Sequence, residues 1–134
     1  MTIFEKIIAR EIPAEIVWED EKHLAFMDIK PVNKGHLLVI PKKAVEDVLD
    51  MSDEEFADLM IQAKKLAVPL RQAFNSLRVG FIIEGFGVNH VHIHLVPIYK
   101  AFELDPNRAQ EVSAEELHES AQRFKKILNT EELM

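Results

Sequence analysis

Three of the six histidines in this 134-residue chain stand at alternate positions, His90, His92 and His94, separated by Val91 and Ile93 and followed by Leu95 and Val96. In an extended strand successive side chains point to opposite faces, so this spacing puts three imidazoles on one face and sends Val91, Ile93 and Leu95 into a core. A lone histidine in such a strand is ordinarily one polar residue of a solvated face. Three in strict alternation, directly after the turn Gly85-Phe86-Gly87, point instead to a functional site.

Two chemistries suit such a cluster. Imidazole is the commonest transition-metal ligand, and Glu84 and His36 are available as further donors, so a metal site stays open on these residues. Alternatively, one neutral imidazole attacks an electrophile while its other nitrogen is held by a carbonyl, and its neighbours bind the developing charge. Phosphorus is the natural target. A histidine nitrogen attacks phosphoryl groups readily, and the adduct hydrolyses readily. The chemistry needs hydrogen-bond donors around the phosphate, which imidazoles and glycine-turn amides supply.

The elements that must position this cluster are legible from pattern. Thr2-Ile3-Phe4-Glu5 reads as a capping box opening a short helix that ends before Pro13. Ile16 to Glu19 and Leu24 to Met27 form a hairpin around Asp20-Glu21-Lys22-His23, with His23 and His118 in polar, solvated settings. After the turn at Asn33-Lys34-Gly35, the run from His36 to Ile40 is a strand apolar enough to be covered on both faces. Ser52-Asp53-Glu54-Glu55 opens a long helix with Phe56, Leu59, Met60, Ala63, Leu66, Ala67, Leu70 and Phe74 in register, and Pro69 predicts a kink or a break in it. Val79 to Glu84 and Val91 to Pro97 are the last two strands. Lys100 to Val112 reads as a linker, and Ser113-Ala114-Glu115-Glu116 caps a final helix. The prediction is a single α+β domain spanning residues 1–134, its core over about 2–99 and a C-terminal helical extension over about 113–128. Five antiparallel strands carry helices on one side.

Composition narrows the function classes. With 23 acidic against 16 basic residues the formal charge is −7, which disfavours a broad nucleic-acid footprint while leaving room for small anions at a local site. Cysteine is absent, which removes thiolate catalysis, disulfides and cysteine-ligated zinc and suits a reducing cytoplasm. Charges at Glu5, Lys6, Arg10 and Glu11 argue against a signal peptide, and no apolar run exceeds four residues, so no membrane span is expected.

The segment His90-Val91-His92-Ile93-His94-Leu95-Val96 resembles the signature of the histidine triad (HIT) superfamily of nucleotide hydrolases and transferases. A second series is similar to its Hint branch, the histidine triad nucleotide-binding proteins. It runs through Thr2-Ile3-Phe4, Lys6-Ile7-Ile8, Glu11-Ile12-Pro13-Ala14, Glu19-Asp20, Leu24-Ala25-Phe26, Asp28-Ile29, Pro31 and Gly35-His36, and continues into Leu38-Val39-Ile40-Pro41-Lys42-Lys43. Together the matches cover about residues 2–99; the tail from Lys100 carries no signature. The resemblance implies that His92 is the nucleophile forming a nucleotidyl-histidine, that His94 contacts the phosphate, that His90 orients His92 through its carbonyl, and that His36 packs beside them. It implies a nucleoside pocket of Ile3, Phe4, Ile12, Phe26 and Ile29, ribose hydroxyls held by Asp28, and a homodimer whose sheets join edge to edge. Taken alone, those apolar residues would be ordinary core and Asp28 a turn former.

Two departures from the family pattern matter. The Hint loop before the triad usually carries Gly-Gln-Ser/Thr, whereas this chain has Glu84-Gly85-Phe86-Gly87-Val88-Asn89. That leaves backbone N–H groups of Gly85, Gly87 and Val88 for the phosphate, but no side chain to protonate a leaving group. Thr2 and Glu5 also stand where many members place a zinc-binding cysteine pair. The resulting expectation is a cytoplasmic, homodimeric hydrolase or phosphoramidase, needing no metal or other cofactor, that releases a purine nucleoside monophosphate from a leaving group on its α-phosphate. Dinucleoside polyphosphate hydrolysis and non-catalytic purine-nucleotide binding are the alternatives.

Overall fold

In a computed structural model that describes residues 1–132, the chain forms helices α1 (Ile3–Ile8), α2 (Asp53–Ala73) and α3 (Ala114–Glu132) and strands β1 (Ile16–Glu19), β2 (His23–Met27), β3 (Leu37–Pro41), β4 (Arg78–Ile82) and β5 (Ile93–Ile98). The strands make one antiparallel sheet in the order β1-β2-β3-β5-β4. The first two capping boxes form as the sequence predicts. The Thr2 and Ser52 hydroxyls accept from the N–H groups of Glu5 and Glu55, whose carboxylates reach back to the cap N–H groups. At the third, the Ser113 hydroxyl accepts from the Glu116 N–H.

Side-chain parity divides the sheet into two faces. Ala25, Met27, Leu37, Val39, Ile93 and Leu95 meet the apolar stripes of α2 and α3 on one face, which holds both long helices as expected. On the other face Leu24, Phe26, Leu38 and Ile40 pack under Phe4 and Ile7 of α1. Every residue of β2 and β3 is consequently buried.

Three expectations change. Helix α2 runs unbroken through Pro69. The proline forfeits only the bond to the Lys65 carbonyl, while Leu66, Ala67, Leu70 and Ala73 around it stay buried against the core. His23 is not solvated. It is 4% exposed, with Nδ1 3.0 Å from an Asp20 carboxylate oxygen and Nε2 3.7 Å from one of Asp58. The 100–112 segment is not a free linker. A 3-10 turn at Pro106–Arg108 folds it back, with Arg108 Nη2 donating to Asn33 Oδ1 at 3.0 Å and the Gln110 N–H donating to the Pro31 carbonyl at 3.3 Å.

Candidate functional site

The sheet register builds the site as one transverse row. Phe26 of β2 faces Leu38 of β3, Leu38 faces His94 of β5, and His94 faces Ile82 of β4. These side chains share the α1 face, and a cleft of about 610 Å³ runs over them. Of the residues predicted to bind or react, Ile3, Phe4, Ile12, Phe26, Asp28, Ile29, His36, Gly87, Val88, His92 and His94 line that cleft. Gly85 and His90 do not. Gly85 hinges the loop, and the His90 ring is 1% exposed behind the site. Its Nε2 donates to the Pro41 carbonyl at 2.7 Å, leaving Nδ1 buried without a partner.

Hydrogen bonds assign the tautomers. A carbonyl only accepts, so His92 Nδ1, 2.7 Å from the His90 carbonyl, carries the hydrogen and Nε2 keeps its lone pair. The edge of the Phe4 ring, 5.2 Å away between centroids, holds the His92 imidazole, which is 4% exposed. A second chain starts at the Val32 N–H, which donates to His36 Nδ1 at 3.0 Å. A neutral imidazole has one hydrogen, so His36 carries it on Nε2 and donates it to His94 Nδ1 at 2.9 Å. His94 must then carry its own hydrogen on Nε2. The pair His92 and His94, with centroids 5.0 Å apart, thus offers one lone pair and one N–H donor side by side.

Burial favours the neutral forms of His36 and His94. It pushes His36 from 6.5 down to about 4, against the upward pull of Asp28 and with His94 adding to the fall. Burial, followed by the proximity of His92, also lowers His94, against Asp28 and Glu84. With His36 neutral, its 3.5 Å approach to Asp28 Oδ2 is a secondary contact of the Nε2–H and not an ion pair. Asp28 Oδ1 accepts from the Lys30 N–H at 2.8 Å, so the aspartate also holds its own turn.

Asp28, His36 and His94 are close enough together to suggest a metal site. The tautomers oppose it: His36 Nε2 is protonated as long as the Val32 N–H occupies Nδ1. The 2.9 Å separation of the two ring nitrogens is also shorter than the roughly 3.3 Å that two tetrahedral zinc ligands require. Nor do Thr2 and Glu5 offer a metal site, since their side chains are engaged with each other's backbone.

Sequence reasoning missed several cleft residues. Leu38 and Ile82 share the face of His94, but only the strand register reveals that. Pro106 and Ala109 reach the cleft from the returning segment and carried no signal.

Comparison with known proteins agrees with this geometry. Residues 9–101 match the HIT domain family model. A HIT-like protein of Methanocaldococcus jannaschii is 44% identical over 104 residues, covering 75% of this chain and 81% of that one. The bis(5'-adenosyl)-triphosphatase of Dictyostelium discoideum is 37% identical over 99 residues, covering 70% and 66% respectively. Among solved structures, a HIT-like protein from Bartonella henselae superposes with a TM-score of 0.84 at 31% identity over 94% of this chain and 95% of that one. With alternating histidines of which His92 and His94 line one cleft on a five-stranded antiparallel sheet, the chain belongs to the HIT family.

Proposed function

We propose that this protein is a nucleotide hydrolase that cleaves a purine nucleoside monophosphate from a group attached to its α-phosphate, through a covalent adduct on His92. The observation that carries the reading is the bond from His92 Nδ1 to the His90 carbonyl, which leaves the Nε2 lone pair free to act as nucleophile in a cleft lined by apolar side chains, His94 and the glycine loop. His92 Nε2 bonds to phosphorus as the bond to the leaving group breaks, and the leaving group takes a proton as it departs. Water then breaks the nitrogen–phosphorus bond, which releases the monophosphate and restores the lone pair. His94 Nε2–H and the amides of Gly87 and Val88 stabilise the phosphoryl oxygens without a metal. Phe4, Phe26, Ile12 and Ile29 hold the base, and Asp28 holds the ribose. The apolar stretch of the cleft beside Asp28 and His94 supports a nucleotide over phosphate alone.

Phosphoramidates are the first substrate class to try. Dinucleoside polyphosphates are the second, because of the similarity to the bis(5'-adenosyl)-triphosphatase. Incubation with an adenosine phosphoramidate followed by mass spectrometry should find AMP on His92. Turnover at wild-type level in His92→Asn would refute the mechanism.

A homodimer and a cytoplasmic setting belong to the same reading. The β1 edge is bulged between Ile16 and Trp18 and packs against α3, whereas β4 ends the sheet with Phe81 partly exposed and Leu77 beside it 65% exposed. A second copy pairing along β4 would cover that edge. Cysteine is absent, as suits a reducing compartment, and among the described residues no helix is long and apolar enough to cross a membrane.

A further inference from the structure

The transverse row gives the cleft a direction. Counting from His94, Leu38 and Phe26 lie on one side and Ile82 on the other, with neighbouring strands about 4.8 Å apart. The base slot belongs to the Phe26 side, because Phe4 packs edge-on against Phe26 at 5.4 Å. A nucleotide seated there with its phosphate at His92 and His94 must send whatever is attached to phosphorus over Ile82. There the chain leaves β4 through Glu84 and the loop that carries Phe86.

That loop is built to hold a ring in the open. Gly85 and Gly87, at φ +88° and +89°, adopt a backbone that side chains disfavour, although a Cβ at either would meet nothing within 4 Å. Between them Phe86 is 77% exposed yet lines the cleft. It adds nothing to either core cluster.

We infer that Phe86 is the wall of the leaving-group subsite and selects substrates whose leaving group carries a flat apolar ring, such as an arylalkyl amine or a second nucleobase. The inference rests on the proposed orientation of substrate for hydrolysis, but its test does not require turnover. Two non-cleavable adenosine 5'-phosphonates, with 3-phenylpropyl or n-propyl bonded to phosphorus, should bind the wild type with Kd values differing by roughly tenfold in favour of the ring. In Phe86→Ala the ratio should fall toward one, and Phe86→Tyr should restore it. A wild-type ratio near one, a ratio unchanged in Phe86→Ala, or a change only in oligomeric state would overturn the inference. Separately, the 2-phenylethylamine and n-butylamine phosphoramidates of AMP, each compared between wild type and Phe86→Ala so that the difference in amine basicity cancels, report on the reaction. If the binding ratio depends on Phe86 but neither is cleaved, the hydrolase reading fails and the subsite stands. If both are cleaved at the same rate in wild type and Phe86→Ala, with equal phosphonate binding, the reverse holds.

Discussion

Acid should unfold this protein through His36, by an amount the structure sets. In the folded state the ring stays neutral down to about pH 4, because it is buried and its two nitrogens are committed to the Val32 N–H and to His94. In the unfolded chain it takes up a proton near the ordinary 6.5. Between those values the unfolded state binds more protons, so the stabilisation is complete above about pH 7 and is lost as pH falls toward 4. The interval from 6.5 to about 4, at about 1.4 kcal/mol per unit, amounts to about 3 kcal/mol. His94, lowered for the same leading reason, adds in the same direction. In urea this corresponds to a midpoint roughly 2 M lower at pH 4 than at pH 7. Carboxylates contribute to acid unfolding of any protein, so the measurement is the difference between wild type and His36→Asn. Asparagine keeps an acceptor for the Val32 N–H, does not titrate and does not reach His94. Its midpoint should fall less between pH 7 and pH 4, by about the amount assigned to His36. Parallel pH profiles for the two proteins would refute the reasoning.

Three further outcomes are expected. Asp28→Asn should abolish a preference of about tenfold or more for AMP over its 2',3'-dideoxy analogue, read by calorimetry, since a carboxylate is the stronger acceptor for two hydroxyls; equal wild-type affinities would remove Asp28 from ribose binding. Activity should survive exhaustive chelation, because imidazole and amide donors suffice for the phosphate, and loss restored by one metal would reinstate the metal reading. Rates across AMP phosphoramidates should drop steeply as the leaving amine becomes more basic, because His36 and His94 are neutral donors and the loop offers no acid beyond the exposed Glu84. Phe86→Gln should partly rescue the most basic amine. It is a better probe than Gly87→Ser, because Gly87 sits at φ +89°, where serine strains the loop. A flat rate series would refute the reasoning.

What could be read from the sequence was whatever depends on a period. The parity of the triad, the burial of β3 on both faces and the stripe of α2 follow from local geometry, and they stand where the pattern puts them except at Phe56, which is exposed at the start of α2. The misses depend on tertiary partners. Pro69 breaks an isolated helix, yet here the buried residues on either side hold α2 together for the loss of one bond. His23 looks solvated among Asp20, Glu21 and Lys22, but Asp20 and the distant Asp58 meet both its nitrogens and allow its burial. Likewise Pro106 and Ala109 enter the cleft because Asn33 and Pro31 pull the returning segment in, contacts that no spacing in that segment announces.

The triad reads as one strand, yet its ladder begins only at Ile93, which pairs with Val39. His90 and His92 keep the strand's parity while their backbone leaves the sheet, and the Val91 N–H goes to the Val45 carbonyl instead. The His90 carbonyl therefore has no cross-strand donor and accepts the ring N–H of His92 two residues along. His94, inside the ladder, has its tautomer set from a different direction, through His36 from the Val32 N–H. The lone pair of His92, the proposed nucleophile, is thus fixed by a local bond of the chain, and the neighbouring donor by contacts made far away in sequence. Under the proposed mechanism a substitution at His36 should therefore act on charge stabilisation by His94 and leave the His92 tautomer in place, which would make covalent attack and the stabilisation of its charge separable functions of adjacent histidines.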